Sequence, residues 1–358
     1  MEPIKEEEKE KAELVCKEMW EEIFGDSQEY IAWYFNQKWK ENEVFLLRDQ
    51  KEEVCSMLHI NPYQMQIAEK EMLLHYIVGV CTRPDQRKKG YMGVLIKAAF
   101  LWLYEREAPF TYLMPAREGI YEPYDFRKIY QAGKELVQQI LSMEGTEQYH
   151  FVGYEKATQQ QREGVETLAN QYLSSRFSVY VCRNQRYFQE IAQEMQACHG
   201  ELLLIYEKDD LKGYLEYGAE ENSVEIFEVV GELQRERLYS SFGAYLKERE
   251  IGNGEQFQVN VTPFADCNLE QGHCIMARVI HFEKCAELIR SEKKITMKVK
   301  INDDYIPQNN KKWQLDIRPD RCQVKPLQEM ERVEQEMNIR EFCDYFFQEQ
   351  KVFLNELV

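Results

Sequence analysis

Residues 77–100, IVGVCTRPDQRKKGYMGVLIKAAF, carry a β-type apolar run through a cationic turn containing glycine and straight into an amphipathic helix. That order is the local architecture of a pyrophosphate site. Glycine lets backbone approach phosphate oxygens, and the first amides of a helix have no intrahelical partner and face an anion favourably. Arg87, Lys88 and Lys89 add positive charge beside those amides. A basic turn between strand and helix is more often only a solvated connection. Here Val94, Leu95, Ala98, Leu101 and Trp102 recur at helical spacing and supply the context such a site requires.

The spacing Arg87, Gly90, Met92 follows the R-x-x-G-x-G/A acyl-CoA loop of the GNAT superfamily of N-acetyltransferases, with methionine where a small residue usually stands. Residues 111–126, TYLMPAREGIYEPYDF, then place a short strand, a proline and Tyr121 just after the helix. When an amine attacks a thioester carbonyl the sulfur leaves as a thiolate, and a nearby phenol can protonate it, so Tyr121 is the candidate general acid. Set against this, the chain has 22 tyrosines, and most of them pack with one wet end.

GYM after the basic turn, the I-Y-x-P-Y-x-F run at 120–126 and the ending FLNELV resemble the Eis-type ("enhanced intracellular survival") acetyltransferases over the whole length. The resemblance implies an α/β (α+β) chain. An active GNAT domain would occupy residues 1–150, a degenerate second GNAT domain 151–275, and a sterol-carrier-protein-like α+β domain 276–358. It implies acetyl-CoA as cosubstrate, its pantetheine running along the backbone of Gly79, Val80 and Thr82. The pyrophosphate would lie on Arg87, Lys88, Lys89 and Gly90, and the Val80 amide would polarise the carbonyl. In this family the terminal carboxylate reaches the first domain's site, which makes Val358 the expected base. A homo-oligomer follows from the resemblance too, a hexamer being among the forms the family takes.

A net charge of −18 and a pI near 5.0 speak against duplex binding, which needs an excess of lysine and arginine on one face. They favour a cationic partner such as an aminoglycoside, a polyamine or a lysine peptide, although most such charges are solvated helix faces. At 358 residues the chain should split into two or three domains. No apolar run reaches the ~18 residues of a membrane span, and the N-terminus MEPIKEEEKEKAELVCKEMW is a charged amphipathic helix with no signal-peptide character, so a cytoplasmic location is expected. Ten cysteines form no CxxC pair and six histidines are scattered singly, so no metal is expected.

Hydrophobic periods place helices near 5–23 and 27–39, a hairpin of 44–47 with 54–60, and a strand near 72–82 leading into the loop. The outline recurs from about 151 to 275: helices, the hairpin ELLLIYEKDDLKGYLEY, the strand VEIFEVV and a helix near 238–247. Between that strand and helix lies GELQRER, with no glycine where Gly90 sits in the first copy, so the second copy is expected not to bind CoA. The competing expectation is a non-catalytic small-molecule or lipid-binding protein with a vestigial acetyltransferase core. No G-x-S-x-G elbow or Walker loop suggests a hydrolase or kinase.

Overall fold

The first helix of the protein, seen in a computed structural model that describes residues 1–138, 148–220, 223–252, 256–259 and 270–356, is α1 (Glu6–Phe24). Three glutamates in its first turn complement the helix dipole, and Gly25 ends it in the left-handed conformation at φ +74°. Helix α2 (Gln28–Gln37) starts on Ser27, whose hydroxyl accepts from the Tyr30 amide. Strands β1 (Glu43–Arg48), β2 (Val54–Ile67) and β3 (Lys70–Thr82) form an antiparallel meander. Asp49 sets its first turn by accepting from the Lys51 and Glu53 amides. Helix α3 (Tyr91–Glu105), strand β4 (Phe110–Leu113), helix α4 (Glu118–Tyr121) and strand β5 (Arg127–Gln138) complete this part.

The order of two helices, three antiparallel strands and a helix then recurs. After β6 (His150–Gly153) come α5 (Gln159–Ser174), the short β7 (Val179–Val181) and α6 (Gln185–Ala197). Strands β8 (Glu201–Glu207), β9 (Asp210–Glu220) and β10 (Ser223–Gly231) lead to α7 (Arg235–Glu248), β11 (Gln256–Val259) and β12 (Glu270–Val279). Thr158 opens α5 with a capping box closed by Gln161.

All these strands lie in one sheet of order β7-β2-β3-β4-β12-β5-β11-β10-β9-β8-β6, with β1 on the side of β2. Strand β12 crosses position 275 and is antiparallel to both β4 and β5, so distant sequence fills the centre of the sheet. Helix α8 (Phe282–Ala286) then precedes a four-stranded sheet of β13 (Ile295–Asn302), β14 (Lys312–Ile317), β15 (Cys322–Pro326) and β16 (Gln335–Asn338), order β15-β14-β13-β16. Helix α9 (Ile339–Phe347) and strand β17 (Val352–Phe353) follow, β17 pairing in parallel with β7 at the edge of the large sheet. One apolar core runs from Tyr63 and Tyr112 through Phe188 to Phe342 and Phe353. Arg278, fully buried, joins the last part to the first: it bonds Asp303 at 2.6 Å and lies 4.4 Å over the Phe100 ring.

Candidate functional site

Strands β3 and β4 are parallel neighbours for only two register pairs, His75 with Thr111 and Tyr76 with Tyr112. Past Tyr76 they splay apart, so residues 77–80 have no β4 partner. On the other side β3 is bulged against β2, because Val78 faces His59 and Cys81 faces Met57, leaving Gly79 and Val80 opposite Leu58 alone. Gly79 takes φ +61° at this bulge, and a Cβ there would stand 2.8 Å from Trp20 Cζ3 and 3.1 Å from His59 Nδ1. Only glycine fits both the angle and the space. Trp20 is fixed by its indole N–H, which donates to Asp26 at 2.7 Å. His59 is fixed by the Tyr34 hydroxyl, 3.0 Å from Nδ1, which itself accepts from Asn42 Nδ2 at 2.8 Å. Burial pushes the His59 pKa down to about 3, so its ring is neutral under the strand.

From β3 the chain turns at Pro84–Gln86 and enters α3 through Lys88 at φ +64° and Gly90 at φ +82°. No side chain caps α3. Its first amides therefore point out of the helix beside Arg87, Lys88 and Lys89, a setting suited to an anion. Arg87 Nε donates to the Thr82 carbonyl and Lys89 to Gln86, which folds the loop without spending a carboxylate on it. Met92 stands at the motif's last small position. Gly93, one residue on, makes room for a side chain instead: a Cβ there would lie 2.8 Å from the Tyr124 hydroxyl.

A cavity of about 770 Å³ opens on this edge. Gly79, Val80, Met92 and Tyr121 line it from the first copy, and Ala197–His199, Glu220 and Phe227 from the second. Tyr121 is 8% exposed, stacked edge-on against Phe126 at 5.8 Å. Burial, with a smaller contribution from Cys81, pushes its phenol up to about 12, so it carries its proton at neutral pH and can give it away. The acidic groups in the described lining are Asp26, Glu220 and Glu225, and that lining holds no lysine or arginine.

Gly79, Val80 and Tyr121 thus meet in one cavity, and Arg87, Lys88, Lys89 and Gly90 form the loop at the end of the same strand. Thr82 does not reach the cavity lining; its hydroxyl is 2.8 Å from Ser56 Oγ. Beside Tyr121, Glu118 is paired with Lys128 at 3.1 Å. Val358 lies outside the described residues. Sequence reading missed Trp20, Asp26, Tyr30 and Gly93. Of these only Gly93, in GYMG, carried a local sign.

Residues 3–129 match the family model described as an acetyltransferase (GNAT) domain. That span holds β3, the basic loop, α3 and Tyr121. No curated protein matches the chain. Among solved structures, a conserved protein of unknown function from Enterococcus faecalis, a probable N-acyltransferase, aligns with TM-score 0.73 at 16% identity, covering 94% of this chain and 87% of that one. A GCN5-related N-acetyltransferase from Anabaena variabilis gives 0.71 at 15%, with 97% and 89% covered. Eis1 from Mycobacterium abscessus gives 0.57 at 10%, with 85% and 79% covered. At such identities the likeness is one of fold. The N-terminal part of the chain is thus similar to a GNAT acetyltransferase domain over residues 3–129, within a mixed α/β fold that these structures share along most of their length.

Proposed function

We propose that the protein is an N-acetyltransferase that moves an acetyl group from acetyl-CoA to a primary amine of a cationic substrate by direct transfer in a ternary complex. The observation that carries this reading is the splayed β3 edge, bulged at Gly79 and opening into a cavity with Tyr121 on its wall. Acetyl-CoA supplies the acyl group as a thioester. The free backbone of residues 77–80 is suited to align an extended amide chain, and the uncapped start of α3 with Arg87, Lys88 and Lys89 to hold a pyrophosphate. The Val80 amide would face the carbonyl oxygen as negative charge grows there.

In the reaction the amine nitrogen bonds to the carbonyl carbon, the carbon–sulfur bond breaks, and the thiolate takes the Tyr121 proton. The amine's surplus proton leaves toward the chain end at Val358, which serves as base directly or through a water. Support for that direction comes from Asn355, whose side-chain amide donates to the carbonyl of Phe227 in the cavity wall. Asp26, Glu220 and Glu225 favour ammonium-bearing substrates, whether aminoglycosides, polyamines or lysine side chains. The chain would divide near residues 150 and 275 into catalytic, degenerate and sterol-carrier-like parts, and would assemble as a homo-oligomer.

The test is thiol release from acetyl-CoA across a panel of those amines. Turnover by the wild type should fall about 10²–10⁴-fold in kcat for Tyr121→Phe, with the KM for acetyl-CoA little changed. Absence of turnover with every amine, together with no heat of acetyl-CoA binding, would replace the enzyme by a non-catalytic binding protein.

A further inference from the structure

The second copy has its own parallel strand pair, and there another stretch of the chain comes to the strand edge. Strand β10 pairs with β11 at Glu225 and Ile226, and the next residue, Phe227, bulges out of register with β9. The matching stretch of β3, just past its parallel pair, faces the open cavity. On β10 the Phe227 carbonyl accepts from Asn355 Nδ2 at 3.0 Å, and the same amide lies 3.3 Å from Glu228 Oε2. Glu228 binds Arg183 through both oxygens at 3.1 Å and accepts from the Tyr214 hydroxyl at 2.5 Å. Arg183 Nη1 donates to Glu356 at 2.8 Å, its Nε donates to the Tyr214 hydroxyl at 3.2 Å, and the Tyr187 ring lies 4.2 Å under the guanidinium. Arg183 and Glu228 are 0% exposed and Glu356 4%.

A strand edge whose carbonyl takes a side-chain amide, beside a buried guanidinium that takes a carboxylate, is a recognition site for an Asn-Glu segment. Glu228 also places a buried carboxylate at this edge, and GELQRER has no glycine at the place of Gly90, while its two arginines pair with Glu135 and Glu207. We propose that residues 354–356 are a built-in ligand of the second copy, with Asn355 and Glu356 held on the β10 edge by Phe227, Glu228 and Arg183. The degenerate copy is then a receptor for the chain's own tail, and Arg183 is a positioning residue that sets where the tail meets the cleft wall. This rests on the repeated strand order and the contacts named, independently of acetyl transfer, so either reading can fail alone.

Hydrogen exchange on the full chain tests it. Amides of residues 350–356 should be protected in the wild type and exchange about tenfold faster or more in Asn355→Ala and in Glu356→Gln, while β3 and α3 keep their protection. Adding excess peptide KVFLNELV to the Asn355→Ala protein should restore protection to β10, and the same peptide with alanine for asparagine should not. Asn355→Ala is the milder change and decides the matter if Glu356→Gln does not fold. Equal tail protection in the wild type and the variants would overturn the proposal. So would exchange that rises equally throughout the molecule, which would make the tail ordinary core, or indifference of β10 to the added peptide.

Discussion

The two strand–loop–helix units start from one plan and end with opposite uses for their charge. Between β3 and α3 the loop holds Arg87, Lys88 and Lys89, of which Arg87 donates to the Thr82 carbonyl and Lys89 to the Gln86 amide oxygen. At the start of α7 the cations are consumed inside the protein: Arg235 pairs with Glu135 and Arg237 with Glu207. The strand edges differ the same way. Gly79 leaves β3 open to the cavity, while the Phe227 carbonyl of β10 is taken by Asn355. Topology alone therefore makes no phosphate site; it needs open amides and unspent cations together.

Substitution at Arg183 should show the largest difference between the copies. Arg183→Met strands Glu228 and Glu356 in the interior, so denaturant unfolding should show a loss of about 3–5 kcal/mol. A charge change in the exposed first loop, such as Lys89→Gln, should leave stability within about 0.5 kcal/mol. Gly79→Ala comes next. The left-handed angle and the 2.8 Å approach to Trp20 should lower stability by about 1–3 kcal/mol and also cost acetyl-CoA affinity, measured by thermal melts and calorimetry. Glycine to alanine at Gly119, which meets nothing within 4 Å, is the control.

The smallest effect is a contrast in pH dependence. Burial raises Glu194, in the second copy, to about 7, against the opposing pull of Lys38 and the Tyr30 hydroxyl and with help from Glu190 and Glu356. The folded state keeps this proton after the unfolded chain has released it, so the group's contribution to stability falls as pH rises from the ordinary carboxylate value to about 7. His59, in the first copy, works the other way. Its folded pKa near 3 lies below the unfolded value, so stability falls as pH drops through the ordinary histidine range. Glu194→Gln should flatten the decline above pH 5 and leave unchanged the acid limb to which His59 and His75, also lowered by burial to about 4, contribute, as followed by urea unfolding at a series of pH values.

Features written in contiguous residues were legible from the sequence. The run from β3 through the basic loop into α3, the 44–60 hairpin, Tyr121 after a proline and the lack of a glycine in GELQRER at the place of Gly90 are all local, and helix and strand periodicity expose them. What the sequence hid is non-local. Nothing in EQGHCIMARV says that it will lie between β4 and β5, because strand pairing across well over a hundred residues leaves no periodic trace. The left-handed Gly79 depends on Trp20 and His59 arriving from other elements. The Arg183 cluster joins residues 183, 228 and 356, each an ordinary surface type until the fold buries it.

Calorimetric titration of the full chain with acetyl-CoA tests the asymmetry of the two copies most directly. One molecule should bind per chain, and the heat should weaken about tenfold or more in affinity in Arg87→Glu while Arg235→Glu leaves it unchanged. Two molecules per chain, or a loss caused by Arg235→Glu and not by Arg87→Glu, would contradict the account.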